Sequence, residues 1–201
     1  VKPKRAKLSQ NHEAWATLAA QSHRLVDNAF KTETLLFARS MMRPVRAMIL
    51  ELIDGLLKDG YEFAPDITPH SEPVQGVAEA LERFWQRGVY VPLSVQAWML
   101  EVGSVNLCGN NAKWPRLTYA LDHGSAKKVV CTDPLVFEIT PEYIDHRLEE
   151  HLQQFADGRP EPLELDIAPD HLHKANISGG APYAVHIDRP QVEELLLNER
   201  H

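Results

Sequence analysis

Cysteine is scarce: the chain carries two in 201 residues, Cys108 and Cys131. Two isolated thiols build no disulfide framework in a chain of this length, so a reducing cytoplasm is the expected setting. Long apolar runs are missing too. None approaches the about 20 residues that a membrane-crossing helix needs, and no membrane partner is expected. The basic start, Val1 to Lys7, is followed by no apolar core, so no export leader is expected. Basic residues are outnumbered: 21 Lys and Arg against 28 Asp and Glu leave a formal charge of −7. Proteins that bind nucleic acid usually carry a basic face, so nucleic acid is disfavoured as a partner. An acidic surface suits a basic protein partner through electrostatic steering, and solubility alone also accounts for it. The spacings of common catalytic motifs are absent as well. There is no His-Glu-x-x-His helix, no phosphate loop ending in Lys-Ser/Thr, and no Gly-x-Ser-x-Gly around Ser125 or Ser178. Catalysis is therefore not the expected activity, and no cofactor is expected.

What is present is an ordinary globular balance, 44% hydrophobic and 24% charged. The length suits one large domain, or one domain with a helical extension. The most organised stretch runs from Val77 to Gly109. Val77, Leu81, Phe84 and Trp85 recur at helical spacing and give one apolar stripe. Gly88 ends this helix, because glycine accepts the left-handed conformation common at helix C-termini. Pro92 opens a second helix, where its missing N–H is not needed. Val95, Trp98, Met99 and Val102 form its stripe, with Trp98 expected in the core. Gly103 stops it, and Val105 to Cys108 can enter a sheet.

This run of helix, Val91-Pro92, aromatic-bearing helix, Gly103 and strand resembles the SUKH superfamily of α+β domains. Members typically show Leu-Pro, an aromatic, an aromatic-hydrophobic pair and then glycine. Val91-Pro92, Trp98-Met99 and Gly103 match this pattern, while Val95 stands at the first aromatic position. Family members are mostly protein-binding domains, many of them immunity proteins that neutralise toxin domains. The resemblance implies an α+β fold and a non-catalytic immunity or regulatory role. The implied partner is a protein, with a toxin domain among the candidates.

Taken in order, the chain divides into a helical N-terminal extension (1–60), a linker (61–73) and a SUKH-like domain (74–201). A first helix is expected from Ser9 or Asn11 to about Phe30, and Thr32 to Ser40 is helix-prone. Pro44 marks a boundary, since the residue before proline avoids the helical region. Val45, Met48, Ile49, Leu52, Ile53, Leu56 and Leu57 then define a strongly periodic helix closed by Asp59-Gly60. Arg39, Arg43 and Arg46 form a basic cluster near that boundary, either a solvated face or an anion contact. Gly60, Pro65, Pro69 and Pro73 punctuate the linker. Strands are expected at Lys127–Cys131, Leu135–Ile139, Pro162–Ile167 and Ala181–Ile187. Thr140-Pro141 begins a helix that Asp157-Gly158 ends, and a last helix covers Gln191–Asn198. The sheet is expected to be antiparallel and flanked by helices.

Two regions compete as a site. The stretch from Asn110 to Gly124 reads as a long loop, and its Asn110, Asn111, Trp114 and Arg116 are the candidate partner-binding residues. Trp and Arg are enriched at binding hot spots, although Trp114 can equally fold back as a lid on the core. The other region is 166–186. His171 and His173 on one strand face can share a metal, with Asp166, Asp170 or His186 as a third ligand. A polar strand with a Gly-rich turn is the plainer reading, and whether segment 176–183 binds a ligand stays open. The alternative function is accordingly a small-molecule or metal-dependent enzyme using this region. His146 and Glu150, one helical turn apart, offer a further ligand pair or simply a solvated face.

Overall fold

The computed structural model describes residues 13–120, 126–130, 133–158, 162–170, 174 and 182–192. The described residues start with helix α1 (13–20) and a 3-10 turn, Ser22–Val26. Asp27 then caps helix α2 (Asn28–Lys58): its carboxylate accepts from the N–H groups of Ala29 at 2.9 Å and Phe30 at 3.4 Å. This start, and not a helix running to Phe30, is what the chain adopts.

Pro44 does not divide α2, contrary to the sequence reading. An interior proline costs about 3 kcal/mol through a lost hydrogen bond and a ring clash. Here the apolar stripe stays in phase on both sides of it. Thr34, Ala38, Met42, Val45, Ile49, Ile53 and Leu56 follow one another at steps of three or four. Burying that stripe against the next helices outweighs the local penalty. The three arginines near Pro44 add to this. Arg39 and Arg43 both bond Glu101, at 2.6 and 3.1 Å, and Arg46 pairs with Glu72. Burial disfavours the Glu101 carboxylate, but the two guanidinium groups outweigh it and hold its pKa below the ordinary range.

The segment 61–73 is not a free linker. It supplies strands β1 (Glu62–Phe63) and β2 (His70–Ser71). Helices α3 (Val77–Gln86) and α4 (Leu93–Glu101) follow as the sequence predicts, then β3 (Ser104–Asn106) and β4 (Gly109–Asn110). The supposed long loop after Asn110 is a short turn, 111–115, leading into a hairpin of β5 (Arg116–Ala120) and β6 (Ala126–Val130). Strand β7 (Val136–Phe137), helix α5 (Pro141–Ala156) and strands β8 (Glu164–Ala168) and β9 (Tyr183–His186) complete the described order. The expected cap of α5 is present: the Thr140 hydroxyl accepts from the Tyr143 N–H at 3.3 Å. Most of the expected final helix, 193–198, lies outside the described residues.

The strands form small antiparallel sheets, β1–β4, β2–β3–β7, β5–β6 and β8–β9, so the fold is α+β with a helical N-terminal region. No helix among the described residues is long and apolar enough to cross a membrane. Helix α4 sits between two apolar clusters. Its Val95 and Met99 join Leu81, Phe84, Ile144, Leu165 and Ile187. Its Trp98, with Val102 just beyond, joins Ile49, Val105, Leu107 and the inner stripe of α2. A helix buried on both sides loses a single polar face, and even Gln96 is inside, donating to the Val91 carbonyl at 2.6 Å. Trp98 is half-buried at the rim of its cluster, with its indole N–H donating to the Gly103 carbonyl at 2.8 Å.

At Gly103, just after α4, the chain passes close against β2. Its φ is +88°, and a Cβ there would stand 2.1 Å from the Ser71 carbonyl oxygen. Gly88 has a comparable φ of +78° but open space around the added atom. Gly88→Ala should therefore cost about 1–2 kcal/mol, the strain of a left-handed L-residue. Gly103→Ala should cost at least about 2 kcal/mol more, because β2 must move. Urea unfolding of both variants checks this; equal losses would show that the close approach is not a constraint.

Candidate partner-binding surface

The turn after β4 is built on Asn111. This side chain is 1% exposed. Its amide donates to the Asp59 carbonyl at 3.1 Å and its oxygen accepts from the Lys113 N–H at 2.9 Å. The Trp114 N–H closes the turn on the Asn111 carbonyl at 3.1 Å. An Asn side chain that mimics a backbone turn in this way fixes the local chain path. It also ties the turn to the C-terminal end of α2, where Lys113 reaches the same Asp59 carbonyl at 3.4 Å. A cation is favoured there by the helix dipole.

Trp114 projects from this braced turn and is half-buried. Its ring lies 5.2 Å from that of Tyr61, tilted by 48°, and Tyr61 in turn meets Phe63 edge-on at 5.2 Å. Tyr61 is 4% exposed, and its hydroxyl donates to the Leu107 carbonyl at 2.7 Å. Burial, with a smaller contribution from Cys108, pushes its phenol pKa up to about 12. The result is a row of three aromatic rings with Trp114 at its outer end. That indole packs on Tyr61 and keeps part of its surface in solvent. Rigid aromatic groups held in this way bind at low entropic cost.

The four sequence candidates are thus placed differently. Asn110 is exposed in β4, beside Glu62 of β1. Asn111 is withdrawn from solvent and acts as the brace of the turn, a correction forced by its burial. Trp114 is presented at the surface, and Arg116 opens β5 opposite Val130. Sequence reasoning missed Tyr61, which falls in the supposed linker. An aromatic directly after a helix-ending Asp59-Gly60 was the available signal, because a hydrophobic contact commonly accompanies that helix ending.

In the competing region, His171, His173 and residues 176–181 lie outside the described residues. His186 places Nδ1 3.9 Å from the Glu164 carboxylate. Among the described residues no group of three His, Cys, Asp or Glu side chains is arranged to hold a metal. Glu150 faces both His146 at 3.4 Å and Arg147 at 2.7 Å on an exposed helix face, so it is already engaged. What this region does have is a cavity of about 340 Å³ between β7, β8 and the start of α5. The Tyr143 hydroxyl donates to Asp166 at its edge, at 3.4 Å. Burial, opposed by Lys174 and reinforced by Glu138 and Asp133, raises the pKa of the Cys108 thiol and disfavours its thiolate.

Compared with protein-family models, curated proteins and solved structures, the chain has no match in any of the three.

Two outcomes follow from the bracing. Asn111→Ala takes the amide donor from the Asp59 carbonyl, leaves the Lys113 N–H without its acceptor, and should cost about 1–3 kcal/mol in a denaturation series. It should also red-shift the fluorescence of Trp114; an unmoved spectrum and stability would mean that the turn is held by other contacts. For Tyr61, the folded phenol titrates above its unfolded value of about 10. Its contribution to stability is therefore complete below pH 10 and lost as pH rises towards about 12. An absorbance titration of the wild type minus Tyr61→Phe should show the missing tyrosine near the upper end of that window, not near 10.

Proposed function

We propose that the chain is a non-catalytic protein-binding domain of the SUKH type, serving as an immunity or regulatory partner in a reducing cytoplasm. The observation that carries this reading is the partly exposed Trp114 on a turn locked by Asn111 and backed by Tyr61. A preordered aromatic at a surface is the usual anchor of a protein interface, since it buries much area with little freedom to lose. The helix, Pro92, helix, Gly103, strand arrangement supports the SUKH assignment. The net charge of −7 supports a basic partner, a toxin domain among them. Asn110 and Arg116 flank the anchor and complete the proposed contact set.

The second reading, an enzyme or small-molecule binder using the 166–186 region, is favoured by the cavity beside Asp166. The two readings part on one variant. Trp114→Ala should keep the far-ultraviolet circular dichroism spectrum and weaken partner binding by at least about 2 kcal/mol, the hot-spot threshold. The measurement is affinity capture from source-cell lysate with both proteins, identification of the retained partner, and calorimetry with that partner. An unchanged affinity removes this turn from the interface; a collapsed spectrum makes Trp114 a core lid.

A further inference from the structure

The cavity between β7, β8 and the first turn of α5 has a definite chemical character. At about 340 Å³ it lies at the small end of the roughly 300–1,000 Å³ typical of ligand pockets. Val136, Ile139 and Ile167 give it apolar walls, and its polar groups are Glu138, Tyr143 and Asp166. Both charged groups are carboxylates, and no Lys or Arg of the described residues lines it. Each carboxylate is half engaged among those residues. Glu138 accepts from the Asn106 amide at 2.8 Å through Oε2, and Asp166 accepts the long 3.4 Å bond from Tyr143 through Oδ2. Among the described residues, Oε1 and Oδ1 accept no further side-chain hydrogen bond and keep their acceptor capacity.

An anion would be repelled here. A wholly apolar ligand would strip water from the carboxylates without replacing it. The fitting occupant has a hydrocarbon stem and a cationic head, as the long basic side chains do. A guanidinium suits best, because its planar fork offers several charge-assisted donors to carboxylate oxygens. We propose that this cavity is a socket for a single arginine or lysine side chain of the protein partner. The source of that cation rests on the protein-binding reading above; the preference for an organic cation does not.

The test uses the full chain and defined probes. N-acetyl-arginine methylamide stands for the peptide side chain, agmatine for a free amine, and N-acetyl-citrulline methylamide for a neutral isostere. Each is titrated while amide NMR shifts are followed. Blocked arginine should bind with shifts centred on Ile139, Tyr143 and Ile167, and at least about tenfold more tightly than blocked citrulline, a ratio that charge-assisted hydrogen bonds supply. Asp166→Asn should weaken it by about fivefold or more; the exposed Glu138→Gln serves if the first variant does not fold. Binding equal to that of citrulline, shifts centred elsewhere, unchanged affinity in the folded variants, or no binding would each overturn the proposal. Agmatine binding more than about tenfold tighter than blocked arginine would assign the socket to a free amine and overturn the partner's side chain as occupant. No partner protein is needed, so a negative result here leaves the Trp114 interface standing, and a failed Trp114 test leaves the cation preference standing.

Discussion

Helix α4 draws the partners of its first N–H groups from a distant part of the chain, and the rest of the fold is arranged around that requirement. A helix leaves its first N–H groups without internal partners. Pro92 offers no side-chain cap, so those groups turn to distant backbone: Leu93 donates to the Gln191 carbonyl at 3.3 Å and Ser94 to the Val192 carbonyl at 3.2 Å. At the other end the Trp98 indole bonds the Gly103 carbonyl, and the glycine admits β2 at contact distance. Between its ends the helix has apolar clusters on either side. Any element that touches it is fixed in direction and spacing by that packing. This is why 61–73, 187–192 and the inner face of α2 all converge on one helix.

The same helix explains what the sequence made legible. Val77 to Gly109 was readable because its period, its Pro92 and its two stopping glycines agree with each other. The cap of α5 at Thr140 was readable for the same reason, and so was the α+β class. Failures came where tertiary contacts overrode local rules. Pro44 reads locally as a stop, yet the stripe from Thr34 to Leu56 continues across it. The proline-rich 61–73 reads as a linker, yet His70 pairs with Val105 and Phe63 with Gly109. Two-residue strands carry almost no period of their own, so only their partners define them.

Of the candidate surface, the sequence offered the residue types around Trp114 but not their placement. Asn110 and Asn111 look alike in sequence; one is in solvent and the other holds Asp59 and Lys113 together. Nothing local distinguishes them, because the distinction depends on where α2 ends, at a sequence separation of 52 residues. Tyr143 and Asp166, brought together from a helix and a strand, are of the same kind. A site assembled across elements leaves little trace in any one of them.

The third apolar cluster has a consequence for how the protein is made. It joins Leu25, Leu93 and Val192, with Trp15, Phe30 and Trp85 packed around them. Its members are drawn from near the two ends and the middle of the described chain. A ribosome adding about 5–20 residues per second delivers Val192 roughly ten to thirty seconds after Leu25. Until then the indoles of Trp15 and Trp85 lack part of their cover, while α2 and α4 can already dock. The nascent protein thus passes through an interval with one core assembled and another open. Anything that shields aromatic surface during that interval, a chaperone above all, has its natural target at this seam.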